Sequence, residues 1–224
     1  MKMIVRRTAL AVCTLVLAVI LPTAASAACT RFDDVPESAD CYESVMYLAE
    51  HEITQGTGNG YFSPDAPVAL VNAAGVNIND YLLALRQVPE PMLAAFNVAG
   101  WTYRIDFDYI SELSKQLNMS CIGATNYSQK TIYLSDASAT LHEFGHFLDW
   151  QLGFPAEHER LYLAEAQNSG LRDYAKTNAG EYFADCFDYW VAYSGNEKRM
   201  ETFRNAAPQT WAYMKKLATN NWGA

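Results

Sequence analysis

His142-Glu143-Phe144-Gly145-His146 is the stretch on which the fold and the chemistry of this chain turn. Side chains on a helix advance by about 100° per residue, so His142 and His146 stand about 40° apart and one turn along. Both imidazoles can therefore reach one ion. Glu143 falls beside them, too displaced to join the same coordination but within reach of a water molecule there. Two neutral nitrogen ligands and a carboxylate base are what zinc-assisted hydrolysis needs. Asp136 or Ser138 supplies a helix start, and Leu141, Phe144 and Leu148 form an apolar face that would seat the helix on a core. Taken alone, the pair is also compatible with two solvated helix histidines, so the surrounding sequence has to decide.

Two histidines and a water leave one protein ligand to find. Asn178-Ala179-Gly180-Glu181-Tyr182-Phe183-Ala184-Asp185 opens a second amphipathic helix, with Phe183, Phe187 and Trp190 as a buried stripe. Glu181 and Asp185 share a different face. Glu181, 35 residues after His146, suits the third ligand. Asp185 is then free to accept a hydrogen bond from a ligand histidine and hold its ring in place. A glutamate ligand with an aspartate four residues later is the pattern of the gluzincin branch of zinc peptidases. Without the histidine motif, a Glu-x-x-x-Asp pair would read as a solvated helix face.

The segment Tyr174 to Asp185, together with His142 to His146 and the tail Asn205 to Trp211, resembles the catalytic domain of anthrax toxin lethal factor and its relatives, which include secreted Pro-Pro endopeptidases. The similarity runs from about Pro89 to Leu217 and is most specific from Ile132 onward. It implies an α+β, zincin-like (gluzincin) metallopeptidase domain holding one zinc ion through His142, His146 and Glu181, with Glu143 as catalytic base. It also implies that the Tyr174 hydroxyl lies beside the metal and donates to the oxyanion; ordinary packing is the alternative for this residue. Asp185 stands where the family usually has glutamate. The resemblance further implies that the strand nearest the active-site helix offers an open edge to substrate, and Lys130 to Leu134 is the strand expected there.

Further out, the amino terminus has a basic start, an apolar run from Ala9 to Leu21 and the small-residue exit Ala25-Ser26-Ala27. This reads as a secretory signal over residues 1–27, with a lipoprotein anchor at Cys29 as the lesser alternative. The apolar run is too short for a comfortable membrane span, and no later segment approaches one. Loss of Lys2, Arg6 and Arg7 with the signal moves the formal charge from −9 to −12, which argues against binding nucleic acid. The remaining cysteines, Cys29, Cys41, Cys121 and Cys186, allow three pairings in an oxidising compartment. Cys29–Cys41 with Cys121–Cys186 keeps each bridge within one domain, and four buried thiols are the alternative.

Phe32 to Val68 reads as a separate module. Tyr42, Val45, Leu48 and Ala49 predict a helix that stops near Ile53, before Gly56, Gly58 and Gly60. Together with the closing Phe62-Ser63-Pro64-Asp65, this order resembles one S-layer homology repeat, a unit that usually comes in threes and binds cell-wall polysaccharide. Ala69-Leu70-Val71-Asn72 replaces the Thr-Arg-Ala-Glu-like segment of that family, so only weak wall contact is expected. Beyond it, a helix is predicted over Asn79 to Gln87, ended by Pro89 and Pro91, and strands over Trp101 to Phe107 and Lys130 to Leu134. Ile110 to Leu117 and most of the chain after Ala137 are expected to be helical. His51 and His158 have no partner at ligand spacing and read as surface residues.

The domain expectation is a signal (1–27), an S-layer homology-like module (28–75) and a zinc metallopeptidase domain (76–224). The corresponding function is a secreted endopeptidase, cell-wall associated if the module binds, acting on protein or peptide. Two rivals remain: a non-catalytic zinc-containing surface protein, for which Glu143 would have no use, and a toxin protease acting on host proteins with a separate delivery partner.

Overall fold

The computed structural model describes Phe32, Val35, residues 42–50 and residues 66–223. The expected signal segment, Cys29, Cys41, His51 and the turn glycines of the amino-terminal module lie outside these residues. Helix α1 (Tyr42–Glu50) appears where its apolar spacing puts it, and Phe32, Val35, Val45 and Met46 bury together as a small cluster of their own.

The remaining elements surround one larger core. A four-stranded sheet runs in the order β1 (Leu70–Asn72), β2 (Thr102–Ile105), β4 (Thr131–Leu134), β3 (Gly123–Asn126). The first three strands are parallel and β3 returns antiparallel to β4, with Gly123 opposite Leu134 and Asn126 opposite Thr131. Strand β4 is therefore flanked on both sides. The open edge beside the histidine helix belongs to β3, which corrects the expectation placed on Lys130 to Leu134. The sequence conceals β3 because Gly-Ala-Thr-Asn sets one branched residue, Thr125, among poor strand formers and lacks the apolar alternation that marks a strand. Strand β1 also went unforeseen. Although it falls before the expected boundary at residue 75, its backbone pairs with β2, so the sheet of the larger domain begins at residue 70.

Helices α2 (Asn79–Leu85), α3 (Glu90–Val98) and α4 (Phe107–Leu117) fill the intervals between β1 and β3. Pro91 occupies the first turn of α3, where the lack of an N–H costs nothing, so the prolines open a helix instead of only closing one. Strand β4 alternates between the two faces of the sheet. Ile132 and Leu134 join the core with Phe144 and Phe147, whereas Tyr133 stacks on Tyr109 of α4 at 3.6 Å between ring centres. The Tyr103 hydroxyl lies 2.7 Å from Thr140 Oγ1, which ties β2 to the start of the next helix.

That helix is α5 (Thr140–Gln151), entered through a 3₁₀ turn whose cap is Asp136. It ends at Gly153, whose φ of +77° only glycine adopts without strain. Helices α6 (Ala156–Glu165), α7 (Ala179–Tyr193), α8 (Glu197–Ala206) and α9 (Pro208–Thr219) complete the domain. Buried Glu165 accepts the Gln209 and Thr210 N–H groups and the Thr210 hydroxyl, satisfying orphan donors at the start of α9.

Helices α5 and α7 approach each other closely at Gly145. A Cβ at this position would come 2.6 Å from the Ala184 Cα, so the glycine serves close approach of two backbones and not a special φ. Cys121 and Cys186 are both free thiols, which corrects the expected bridge between them. Cys186 is fully buried on α7 within the core, while Cys121 borders the cleft described below.

Candidate metal centre

The close crossing at Gly145 brings the side chains of α5 and α7 together. His142 Nε2 and His146 Nε2 are 3.2 Å apart, and Glu181 Oε2 lies 3.0 Å from the first and 3.3 Å from the second. Zinc–nitrogen and zinc–oxygen bonds of about 2.0–2.1 Å in a tetrahedron require ligand atoms about 3.3 Å apart. The three groups thus fit one zinc ion in spacing and in donor type. They are also the one group of three metal-capable side chains found among the described residues.

Each of the three side chains is placed by local structure. Histidines four residues apart share a face of α5, as their spacing dictates. Glu181 is set by the cap of α7, where the Asn178 side chain accepts the Glu181 N–H at 3.0 Å. Asp185, one turn further, accepts a 2.6 Å hydrogen bond from His142 Nδ1 and leaves Nε2 facing Glu181 and His146. Arg172, unforeseen from the sequence, grips Asp185 with both Nε (2.7 Å) and Nη2 (2.6 Å). No spacing rule marks Arg172, since it stands in the irregular stretch before the 3₁₀ turn Asp173–Lys176. His146 lacks an equivalent support: its Nδ1 is buried without a hydrogen-bond partner, so no group behind the ring fixes it as Asp185 fixes His142.

Charge follows geometry. Burial disfavours protonation of His142, but the hydrogen bonds to Asp185 and Glu181 outweigh it and raise its pKa to about 9. Burial pushes Glu181 upward too, yet the two histidines hold it well below the usual carboxylate range. Since only the neutral imidazole ligates, a metal ion at this site would compete with the proton on His142. Glu143 is 4% exposed, and burial raises its carboxyl despite the opposing histidines. Its Oε2 accepts a 2.7 Å hydrogen bond from Thr125 of β3. Tyr174, 39% exposed, is pushed up to about 12 by burial and by the Glu181 carboxylate, so it remains a hydrogen-bond donor across the neutral range.

Two cavities, of about 360 and 240 Å³, flank these groups and share Met119, Cys121, Gly123, His142, Glu143 and Tyr174. Five of the six expected site residues, His142, Glu143, His146, Tyr174 and Glu181, thus line one cleft along β3, and the sixth, Asp185, stands behind the His142 ring. His158 departs from expectation. It is buried at 4% exposure, hydrogen bonded to Asp149 at 2.7 Å and to the Tyr213 hydroxyl at 3.1 Å, and stacked on Phe183. The acidic stretch around it in α6 disguises a position that bridges α5, α7 and α9.

Residues 107–217 match the family model described as "Anthrax toxin lethal factor, N- and C-terminal domain". The chain carries a lethal factor-like domain. Residues 31–68 match the model of the S-layer homology domain. No curated protein matches the chain. Among solved structures, the chain is similar to the PRO-PRO endopeptidase (PPEP-2) from Paenibacillus alvei at 15% identity and a TM-score of 0.48, over 66% of this chain and 96% of that one. The lethal factor-like domain has the mixed α+β fold, mostly helical with a small sheet, that the resemblance implied. Among the described residues, no helix is long and apolar enough to cross a membrane.

Proposed function

We propose that the lethal factor-like domain is a zinc-dependent endopeptidase of protein or peptide substrates, with His142, His146 and Glu181 as ligands of one zinc ion. The observation that carries this reading is the 3.0–3.3 Å triangle of three ligand atoms with a fourth, non-ligating carboxylate, Glu143, beside it. Bound zinc supplies an electrophile that acidifies water and polarises the scissile carbonyl. Glu143, kept basic in a buried cleft, accepts the proton of the attacking water and delivers it to the leaving amine. The Tyr174 hydroxyl donates to the oxyanion as the carbonyl becomes tetrahedral. Asp185, itself gripped by Arg172, holds the His142 ring in its ligating tautomer.

Secretion rests on residues 1–27, and cell-surface association is supported by the S-layer homology match. We place the boundary between module and enzyme near residue 69, since β1 belongs to the sheet. The name of PPEP-2 makes Pro-Pro bonds the first substrates to try. The test is zinc analysis of the purified protein with peptide-library cleavage profiling. About one zinc per chain is expected, with cleavage abolished by chelation and by Glu143→Ala, while the variant retains metal. A variant that retains zinc and full turnover would refute Glu143 as base; zinc without cleavage of any library would favour the binding-protein alternative.

A further inference from the structure

Strand β3 does more than border the cleft. Residues two apart in a strand share a face, and Gly123 and Thr125 both turn toward the Glu143 carboxylate. Thr125 Oγ1 donates to Glu143 Oε2 at 2.7 Å and lies 3.3 Å from the Glu143 carbonyl oxygen. A Cβ on Gly123 would come 2.6 Å from Glu143 Oε1, 2.9 Å from its Cγ and 2.9 Å from the Ala139 Cβ. One carboxylate oxygen is therefore held by a hydroxyl, and the other occupies space that exists only because residue 123 has no side chain. Gly123 and Glu143 also line both cavities.

We propose that Thr125 and Gly123 are positioning residues for Glu143: the threonine fixes the carboxylate in one rotamer with Oε1 free to take a proton, and the glycine leaves room for that rotamer. The inference rests on Glu143 acting as the base. It explains why the edge strand carries glycine at 123 and threonine at 125: the strand gives up a side chain at one position and supplies a hydroxyl at the other, which is what the carboxylate needs. A side chain added at residue 123 meets the Glu143 carboxylate and also the fixed Ala139 Cβ, so it displaces the carboxylate and presses β3 away from the entry to α5, and the fold and zinc content are measured beside turnover.

The experiment compares Thr125→Val, Thr125→Ala, Thr125→Ser and Gly123→Ala, with zinc content and circular dichroism confirming the folded holoprotein. On a library-selected peptide, loss of the hydroxyl should lower kcat by about 10- to 100-fold with KM within about two-fold, the usual effect of losing a hydrogen bond to a charged group. Thr125→Ser should recover most of it. Gly123→Ala should retain zinc and lose at least about ten-fold in kcat. In the metal-free protein, the ¹³C carboxyl resonance of Glu143, assigned by its absence in Glu143→Gln, should shift in the valine and alanine variants and return in the serine variant. A wild-type resonance and a kcat within two-fold of wild type in both hydroxyl-free variants would overturn the role of Thr125. Normal turnover in Gly123→Ala would overturn that of Gly123. Retained turnover in Glu143→Gln would instead refute the base assignment itself, whatever the resonance shows.

Discussion

Replacing Gly145 with alanine sets local and tertiary preferences against each other. In an isolated helix, alanine is favoured over glycine by about 1 kcal/mol. In the folded protein the added Cβ would lie 2.6 Å from the Ala184 Cα, 2.8 Å from its carbonyl oxygen and 3.1 Å from its carbonyl carbon. Carbon atoms rest comfortably at about 3.5–4.0 Å, so α5 and α7 must part by about 1 Å. These are backbone atoms of a 15-residue helix and cannot rotate away. Overpacking of this kind costs about 1–3 kcal/mol, and the unyielding partner argues for the upper half, leaving a net loss of about 1–2 kcal/mol. In a domain of this size that lowers the Tm of the metal-free protein by about 2–8 °C. The same displacement acts on Glu181, one turn before Ala184, whose Oε2 sits 3.0 and 3.3 Å from the two histidine nitrogens. An extra 1 Å takes it toward ~4 Å, beyond the ~3.3 Å span of a tetrahedral zinc site. Zinc affinity should fall at least ten-fold. Calorimetry on the metal-free variant and competition with a chromophoric chelator measure the two effects. An unchanged or higher Tm with unaltered zinc affinity would show that the helices absorb the methyl group and that Gly145 does not set their spacing.

Tyr174→Phe should lower kcat by about 10²–10³ with little change in KM and full zinc content, as expected for one lost oxyanion donor; turnover within a few-fold of wild type would assign the ring to packing. Glu181→Ala should abolish stoichiometric zinc binding, whereas Asp185→Ala should weaken it by about 10- to 100-fold, and a reversed order in chelator competition would reverse the two roles. Asp106 gives a pH signature away from the metal. Partial burial raises its carboxyl, but the Tyr109 N–H and Arg104 prevail and lower it, so its stabilisation is present above the unfolded pKa and lost as pH falls through the folded one. Asp106→Ala should therefore cost about 1 kcal/mol at neutral pH and progressively less under acid, measured by urea unfolding from pH 7 to 3. The Phe32 to Val68 module should give only weak sedimentation with purified cell walls, and tight saturable retention would refute the importance of the missing charged segment after Val68.

The sequence by itself determined the parts of this protein that depend on spacing along one helix. Two histidines four apart on α5, and Glu181 and Asp185 four apart on α7, share faces whatever the rest of the chain does. The apolar stripe of Phe183, Phe187 and Trp190 likewise required α7 to be buried on its other side. What joins the two helices is not periodic. That Gly145 lets the backbones touch, that Arg172 reaches Asp185 from an irregular turn, and that His158 is buried between three helices are facts of packing between distant segments, which no local pattern encodes. Strand β3 shows the limit most clearly. Its four residues carry weak strand propensity because the edge they form is stabilised by pairing with β4 and shaped by the Glu143 carboxylate that lies against it, so only the assembled tertiary structure reveals which strand borders the cleft.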